Sequence, residues 1–351
     1  MRCCTSFGQD EPSGCDNSAT EVNTGIPTTP FLKWRDILGS IKVRWGIGRD
    51  NYRVEAGLYR IGHPNAESPV LVTANYKLTF DALRKELRDI DAWILALDTN
   101  GVNVWCAAGK GTFGSDELVN RIRQTGLYQV VTHNKLILPQ LGAVGVSANE
   151  VFMRTGFKVI YGPVRAADLP FFLKNDLVAE PAMRLVRFNF IDRIVLTPVE
   201  LVNALKPTLL LLGVIFLANL VGLLDVGARE IVAYLGAVFV GCVLVPACLP
   251  YIPVKAFSLK GWILGLFWSI VVIYVEGLWY QEVSGIILGA AFLCILPAVA
   301  AYYGMLFTGS STYTSMSGVQ KEVRIAAPLI IASNILGLLL LLIANHIDIV
   351  L

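Results

Sequence analysis

The residues with the clearest chemical potential lie in one short segment, Asn103-Val104-Trp105-Cys106-Ala107-Ala108-Gly109-Lys110. This segment places a lone cysteine between a tryptophan and a run of small residues. Asn103 is a residue type common at helix N-caps, and a helix opening there would put Cys106 in the first turn. Unpaired backbone N–H groups and the helix dipole would favour a negative thiolate at that position. Cys106 is therefore a candidate thiolate donor, with a buried structural cysteine as the alternative.

A glycine-rich run follows the cysteine directly. Gly109-Lys110-Gly111-Thr112-Phe113-Gly114 matches the pattern GxGxxG, but the acidic residue expected about 20 positions later in a dinucleotide site is missing, since Glu150 is the first acid after Glu117. A phosphate-binding Walker loop also fails, because Gly111 stands where Ser or Thr is needed. We interpret these glycines as backbone that lets a flat or bulky ligand approach closely.

The surrounding pattern alternates short apolar runs with amphipathic stretches. Strands are predicted at 68–73, 92–98, 128–132 and 158–161, and helices at 79–87, from 115 onward and at 166–173. This alternation predicts an α/β domain with a mostly parallel sheet covered on both faces. Ligands bind such sheets at the carboxyl ends of the strands. Thr73, Asn75 and Thr79 lie near such an end and are candidate ligand contacts, although polar residues there also serve as caps.

Composition assigns the chain to the membrane proteins. Of its 351 residues, 54% are hydrophobic and only 16% are charged, which is too apolar for an ordinary soluble domain. Because charged residues concentrate before about residue 206, we predict four parts: a flexible polar tail (1–35), an aqueous α/β domain (36–185), a linker (186–206) and a transmembrane domain (207–351). The tail lacks the apolar core of a secretory signal, so the aqueous domain is expected in the cytoplasm.

The seven cysteines indicate neither a disulfide framework nor an iron–sulfur cluster within this chain. They include no CxxC pair and no zinc-site spacing. No role is assigned to the three in the tail, and the three in the membrane half are expected at packed helix contacts. Their positions are Cys3, Cys4, Cys15, Cys106, Cys242, Cys248 and Cys294.

Five stretches are long enough to cross a bilayer as helices, at about 18 residues or more each. They are approximately 207–224, 231–251, 261–278, 283–305 and 325–344. Polar residues deep in them are too sparse for an ion path, so anchoring is the expected role. The flanking positive charges fall on one side and predict an inside N-terminus and an outside C-terminus in the cell membrane. These charges are Arg184, Arg187, Arg193, Lys206, Lys255, Lys260, Lys321 and Arg324, against Arg229 alone on the other side.

The residues 103–110 resemble, at all eight positions, the cap-helix motif of the HgcA family, the membrane-anchored corrinoid proteins of microbial mercury methylation in anaerobes. The stretch Val72-Thr73-Ala74-Asn75-Tyr76-Lys77-Leu78-Thr79-Phe80-Asp81 also resembles a segment shared by that family and the corrinoid iron–sulfur protein of the acetyl-CoA pathway. The family joins a Rossmann-like corrinoid-binding domain to five membrane spans. The resemblance thus covers nearly the whole chain apart from the N-terminal tail.

This resemblance implies that Cys106 is the lower axial ligand of cobalt in a cobalamin-type corrinoid. Electron donation from the thiolate would ease release of a methyl group on the opposite face towards an electrophile such as mercury(II). Lys110 would either steady the thiolate charge or face solvent. The implied cofactor-binding residues are Asn103, Val104, Trp105, Cys106, Ala107, Ala108, Gly109 and Lys110, with Thr73, Asn75 and Thr79 as further candidates.

The resemblance also implies the activity and the partners. We expect a corrinoid-dependent methyltransferase that converts mercury(II) to methylmercury, with electrons from HgcB, a ferredoxin-like iron–sulfur protein. A methylated folate, served by another methyltransferase, would be the methyl donor. Membrane lipid is an expected partner and nucleic acid is not. Two alternatives remain: a corrinoid methyl carrier for another acceptor, and a nucleotide-binding sensor domain fused to a membrane module.

Overall fold

The computed structural model describes residues 25–280, 283–313 and 316–350, and they form two compact units. The α/β unit comprises the described residues up to Leu32 together with Arg53–Glu180, and the membrane unit comprises Lys33–Tyr52 together with the described residues from Pro181 onward. Residues 1–24 of the predicted tail lie outside the described residues, whereas the last part of that stretch contains a strand and the start of a helix.

Six strands are present among the described residues, and all belong to the α/β unit: β1 (Ile26–Thr28), β2 (Gly57–Ile61), β3 (Val70–Ala74), β4 (Ala92–Leu97), β5 (Lys135–Leu138) and β6 (Lys158–Tyr161). The helices before α9 are α1 (Trp34–Arg44), α2 (Lys77–Arg84), α3 (Val104–Lys110), α4 (Ser115–Gln124), α5 (Leu127–Val130), α6 (Ala148–Thr155), α7 (Leu169–Lys174) and α8 (Phe190–Ile194).

The sheet has the order β1-β2-β4-β3-β5-β6 and confirms the predicted α/β fold. Strands β3, β4, β5 and β6 run parallel, while β2 pairs antiparallel with β4 and carries β1 at the edge. A Rossmann-like parallel core therefore has an antiparallel extension that the sequence pattern did not predict. Arg84 of α2 donates to the carbonyls of Thr29 and Phe31 at 2.5 and 3.2 Å and so fixes the chain that leaves β1.

Side chains of each central strand alternate between two cores. In β3, Val70 and Val72 join the core shared with α3 to α6, whereas Leu71 joins the core shared with α2 and α7. Because successive side chains of a strand point to opposite faces, continuous apolar strands require cover on both sides. The result is a sheet between two helical layers, which confirms the predicted arrangement.

The prediction of a strand at 128–132 was wrong, because these residues contain helix α5 and the strand begins later, at Lys135. Gly126 has φ +61°, a left-handed conformation that ends α4 and starts a new helical turn. Leu127 and Val130, three positions apart, are both buried, which is helical spacing. The β-branched run at Val130-Val131-Thr132 suggested a strand, but tertiary packing overrides this local propensity.

The remaining helices belong to the membrane unit. They are α9 (Thr197–Leu220), α10 (Ala228–Phe239), α11 (Val245–Cys248), α12 (Phe257–Val275), α13 (Val283–Leu306) and α14 (Met316–Val350), with a π-helical turn at Val240–Leu244 joining α10 to α11. Helix α9 starts ten residues before the predicted first span, inside the stretch predicted as a linker, which also contains α8.

Five candidate membrane spans, as predicted, are found in the described part of the chain: Phe190–Leu220, Ala228–Cys248, Phe257–Val275, Val283–Ser310 and Ser317–Ile347. Their central packing uses small residues. A methyl group added at Gly261 would lie 2.8 Å from Ala301 Cα, so the backbones of α12 and α13 approach closely there. Cys294 lies beside Gly337 in the same way, since a methyl group added at that glycine would lie 3.1 Å from Cys294 Cβ. A packing role for this cysteine is consistent with that contact.

Candidate functional site

The carboxyl ends of β3, β4, β5 and β6 meet at one edge of the sheet. This is the edge at which open α/β sheets bind ligands. Asn75 directly follows β3, and the loop after β4 leads into α3, which carries Cys106. Thr73 lies within β3, one residue from its end. The fold therefore brings the residues singled out in the sequence to the same edge.

Asn75 joins the loops at this edge. Its side chain is buried, and its Oδ1 accepts hydrogen bonds from the Thr99 amide (3.1 Å), the Thr99 hydroxyl (3.0 Å) and the Gly101 amide (3.1 Å). Its Nδ2 donates to Asp98 at 3.0 Å. The amide group of Asn75 is thus engaged within the protein, which favours positioning of the next loop over direct contact with a ligand.

The loop held by Asn75 turns sharply. Asn100 and Gly101 both have positive φ, +55° and +72°, and Asp98 accepts from the Asn100 amide at 3.0 Å. Left-handed backbone is tolerated best by Gly and Asn, so this turn depends on its residue types. Glu117 of α4 accepts from the Asp98 amide at 2.8 Å and pairs with Arg121 at 2.7 Å. The chain therefore enters α3 from a fixed position.

Asn103 caps helix α3, as predicted. Its Oδ1 accepts a hydrogen bond from the Cys106 amide at 2.9 Å, and its backbone is extended, as an N-cap requires. Cys106 is therefore the third residue of the helix. Because the cap engages the amide of the cysteine itself, Asn103 fixes the start of α3 and the direction in which Cys106 leaves the backbone.

The variant Asn103→Ala is expected to lower the opening free energy of α3 by about 1 kcal/mol, because the Cys106 amide loses its acceptor. Hydrogen exchange of the peptide that contains residues 104–110 measures this effect. Asn103→Asp retains an acceptor oxygen and should exchange like the wild type. Equal exchange in the Ala variant and the wild type would show that the cap contributes nothing.

Helix α3 has two different faces. Val104, Ala107 and Ala108 are buried in the core, whereas the opposite side, formed by Trp105, Cys106, Gly109 and Lys110, is exposed. A methyl group added at Gly109 would have no neighbouring atom within 4 Å. Cys106 and Gly109 are three residues apart and so are neighbours on the helix surface. The sulfur of Cys106 is therefore presented next to open space.

The buried face of α3 rests on the loop that follows β5. A methyl group added at Gly145 would lie 3.0 Å from Ala108 Cα and would overlap the Phe113 carbonyl, and one at Gly142 would lie 2.6 Å from the Phe113 ring. These two glycines permit a close approach that no other residue type allows. They were not singled out in the sequence, because both contacts join residues that are distant along the chain.

The loop that holds α3 is itself fixed at two points. The Tyr161 hydroxyl donates to the Val146 carbonyl at 2.6 Å, and the Ser147 amide donates to Ser115 Oγ at 2.9 Å. Burial raises the pKa of the Tyr161 hydroxyl, with a backbone hydrogen bond opposing the shift, so Tyr161 remains a donor at neutral pH. Strand β6 and helix α4 therefore both brace the surface on which α3 lies.

The glycines of the GxGxxG run have separate structural roles. Gly111 has φ +82° and ends α3, and a methyl group at Gly114 would lie 2.9 Å from the Gly111 carbonyl, so both glycines are required by the turn. Gly114 is the N-cap of α4, but the first turn of that helix carries Asp116 and Glu117. Two carboxylates there would repel a phosphate, which disfavours the nucleotide-binding alternative.

Thr73 and Thr79 line a separate cavity of about 220 Å³ at the same sheet edge, together with Leu138, Pro139, Gly162 and Pro163. Thr73 is buried, and Thr79 of α2 is half-buried. This cavity lies among residues of the core on the α2 and α7 side of the sheet, whereas α3 packs on the other side. The structure thus assigns Asn75 to the α3 side of the edge and the two threonines to a neighbouring cavity.

His133 is a hydrogen-bonded loop residue. One ring nitrogen lies 2.9 Å from the Ser68 carbonyl, and the other accepts from the Lys135 amide at 3.1 Å. It precedes β5 and therefore lies at the amino-terminal end of that strand, away from the edge that carries Cys106. The prediction that it has a structural role agrees with these contacts.

The α/β part of the chain is similar in sequence to known proteins. Residues 32–173 match the family of the CO dehydrogenase/acetyl-CoA synthase delta subunit. The gamma subunit of the acetyl-CoA decarbonylase/synthase complex of Methanopyrus kandleri is 36% identical over 130 residues, which are 36% of this chain and 28% of that protein. The corrinoid/iron-sulfur protein large subunit of Moorella thermoacetica is 31% identical over 152 residues, 43% of this chain and 32% of that protein.

These comparisons confirm the predicted similarity to the corrinoid iron–sulfur proteins and do not bear on mercury. The aligned residues cover about a third or less of the length of these relatives. The matched family residues end at 173, so the membrane helices from α9 onward lie outside the family match. The similarity therefore covers the α/β part of the chain and not the helices that follow it.

Proposed function

We propose that the α/β unit binds a cobalamin-type corrinoid and that Cys106 is the lower axial ligand of its cobalt. The observation that carries this proposal is the exposed sulfur of Cys106 on a capped helix whose adjacent position, Gly109, has no side chain. The names of the relatives, which include a corrinoid/iron-sulfur protein, support the same cofactor class.

The residues present fit a corrinoid. A macrocycle is flat and wide, and it can reach a ligand sulfur only where neighbouring side chains leave room. Gly109 leaves that room beside Cys106, and Trp105, 45% exposed on the same face, offers an aromatic surface against which a ring can pack. Thiolate sulfur is a soft ligand suited to a transition-metal ion. Lys110, exposed four residues after Cys106, would lie at the rim of the site.

The chain's own residues would hold and orient the cofactor. When bound, the corrinoid supplies a cobalt ion that can accept and release a methyl group. Cys106 would donate electron density to the cobalt ion, and Asn103 would fix the direction of the sulfur by accepting the hydrogen bond from the Cys106 amide. Asn75 would hold the preceding turn and so keep α3 at the sheet edge.

Mercury(II) is the acceptor that we propose, giving methylmercury. Support comes from the resemblance of residues 103–110, at every position, to the cap-helix motif of the HgcA family and from the union of this domain type with five candidate membrane spans. In this proposal the chain is a corrinoid-dependent methyltransferase of the cell membrane. Its α/β unit lies in the cytoplasm, and its C-terminus lies outside.

Two further proteins would be needed for turnover. Electrons would come from a ferredoxin-like iron–sulfur protein such as HgcB, since the cysteines of this chain have no cluster spacing. A methylated folate would supply the methyl group through another methyltransferase. The relatives are named as subunits of a complex, which supports assembly with partner proteins.

A second candidate function is that of a methyl carrier for a different acceptor. It is favoured by the relatives, which are subunits of acetyl-CoA decarbonylase/synthase complexes. Both candidates require the same cofactor site and differ in the acceptor. Cells with the chain and a ferredoxin-like partner, supplied with mercury(II), should form methylmercury, whereas cells without the chain should not. Equal formation in both would overturn the mercury proposal and leave the carrier.

A larger side chain at the open position beside Cys106 should weaken corrinoid binding and at the same time stabilise helix α3. Gly109→Leu is expected to abolish corrinoid retention, because its side chain would occupy the space beside the sulfur. The same change should stabilise α3 by about 0.5–1 kcal/mol, since glycine is unfavourable inside a helix. The corrinoid absorption spectrum of the purified protein and hydrogen exchange of residues 104–110 measure the two effects.

Gly109→Ala is the matched control for this experiment. It gives the same helix stabilisation with a much smaller side chain, so corrinoid retention should be reduced less than in Gly109→Leu. Full retention of the spectrum in the Leu variant would contradict a ring seated on this face of α3.

A further inference from the structure

Helix α1 and the turn after it lie between β1 and β2 in the sequence but belong to the membrane unit. The helix carries an exposed apolar face. At about 3.6 residues per turn, one side of α1 collects five large apolar residues. All five are exposed: Trp34, Ile37, Leu38, Ile41 and Trp45.

The opposite side of α1 faces the protein. Val43 is only 2% exposed, and a methyl group added at Gly39 would lie 2.9 Å from the ring of Tyr52. The Tyr52 hydroxyl also donates to the Asp36 carbonyl at 3.4 Å. The side of α1 that packs against the protein is therefore opposite to its apolar face. The apolar face remains exposed although the helix is packed.

The end of α1 lies against the first membrane helix. Gly46, with φ +75°, ends α1 in a left-handed turn in which the Ile47 amide donates to the Lys42 carbonyl at 2.9 Å. A methyl group added at Gly46 would lie 3.7 Å from both Val199 and Val202 of α9. The exposed face of α1 thus belongs to the same unit as the candidate spans, whose large apolar side chains are also exposed.

Basic residues border the apolar face on both sides. Arg35 and Lys42 lie along one border and Arg44 along the other, and all three are exposed. Lys33 and Arg49 precede and follow this region, against the acids Asp36 and Asp50. An apolar stripe between rows of Lys and Arg, with tryptophan near each end, is the pattern of a helix that lies in the interface of an anionic membrane.

We propose that α1 lies in the headgroup region of the membrane leaflet next to the start of α9, with its apolar face about 5–10 Å deep in the boundary of the acyl chains. The ligand of this face is lipid, and the bordering Arg and Lys side chains would bind anionic headgroups. The chain would then have a sixth membrane contact that does not span the bilayer.

Tryptophan fluorescence of the full chain in nanodiscs tests this proposal. The emission lost in a Trp34→Phe/Trp45→Phe variant reports on the two tryptophans of the apolar face, and phenylalanine keeps that face apolar. The emission of these two tryptophans is the wild-type emission minus that of the variant. Brominated phosphatidylcholine in the nanodiscs should quench most of it, whereas iodide in the water should have little effect. Quenching by iodide and not by bromine would show that the face lies in water and would overturn the proposal.

Protection from both quenchers would also overturn it, since a partner protein or a second copy of the chain would then cover the face. The charge requirement has its own test, in nanodiscs with and without phosphatidylglycerol that carry brominated phosphatidylcholine throughout. Phosphatidylglycerol should increase quenching in the wild type and have a smaller effect in Lys42→Gln/Arg44→Gln. Equal increases in both would contradict binding of anionic headgroups by these residues. The tryptophan variant and the Lys42→Gln/Arg44→Gln variant should both retain the fold, because all four positions are exposed.

Discussion

In cells that carry Cys106→Ala in place of the wild-type chain, the rate of methylmercury formation is expected to fall by about 100-fold or more. Removal of an outer partner of a metal ligand commonly costs 10–100-fold, and Cys106 is proposed as the ligand itself. The absorption spectrum of any corrinoid that remains bound should change at the same time, because the thiolate is lost. The measurements are methylmercury in cultures that also contain the ferredoxin-like partner, and the spectrum of the purified protein.

Cys248→Ala is the matched control, because Cys248 is a partly exposed cysteine of the membrane unit. It should leave both the rate and the spectrum unchanged. A Cys106→Ala variant that forms methylmercury at the wild-type rate would exclude Cys106 as the ligand. If the wild type shows a Cys106-dependent spectrum but forms no methylmercury, the cofactor site stands and the acceptor is a different one.

The variant Asn75→Ala should destabilise the edge of the sheet by about 2–6 kcal/mol. It leaves the buried amides of Thr99 and Gly101 without their acceptor, and each unsatisfied buried group costs about 1–3 kcal/mol. Hydrogen exchange should therefore increase in the peptides that cover residues 98–110, and corrinoid retention should fall although Cys106 is intact. Unchanged exchange there would contradict a positioning role.

Exchanging two side chains provides a sharper test of the same contact. Asn75→Asp alone would put a second carboxylate beside Asp98, 3.0 Å away in the present arrangement, and should be strongly destabilising. In Asn75→Asp/Asp98→Asn the donor and acceptor are reversed and the hydrogen bond can form again. We expect the double variant to exchange more slowly than either single variant. Failure of this rescue would mean that Asn75 acts through shape rather than through its hydrogen bonds.

The parts of the site that could be predicted from the sequence depend on local contacts. The cap joins Asn103 to Cys106, three residues apart, and residue type alone indicates it. Apolar runs long enough to form buried strands or to cross a bilayer predicted β3, β4, β6 and the five candidate membrane spans of the described residues. These features follow from interactions within one turn or one strand, which a single sequence displays.

The parts that could not be predicted depend on contacts between distant residues. Asn75 could be recognised only as a polar residue after a strand, because its partners Thr99 and Gly101 come more than twenty residues later. The close approach of Gly145 to Ala108 is likewise invisible without the fold. The strand predicted at 128–132 failed for the same reason, since burial of Leu127 and Val130 by the core decides in favour of a helix.

The contact of α1 with α9 also constrains the order in which the chain can be completed during synthesis. Val199 and Val202, which lie beside Gly46, follow the whole of the α/β unit in the sequence. Helix α1 therefore leaves the ribosome long before its partner exists, and the main part of the α/β unit, Arg53–Glu180, is made between two parts of the membrane unit. A fragment that ends at Glu180 would keep α1 but lack the helix that Gly46 contacts. Truncation before α9 therefore removes the packing partner of the turn that follows α1, although both α1 and that turn remain in the fragment.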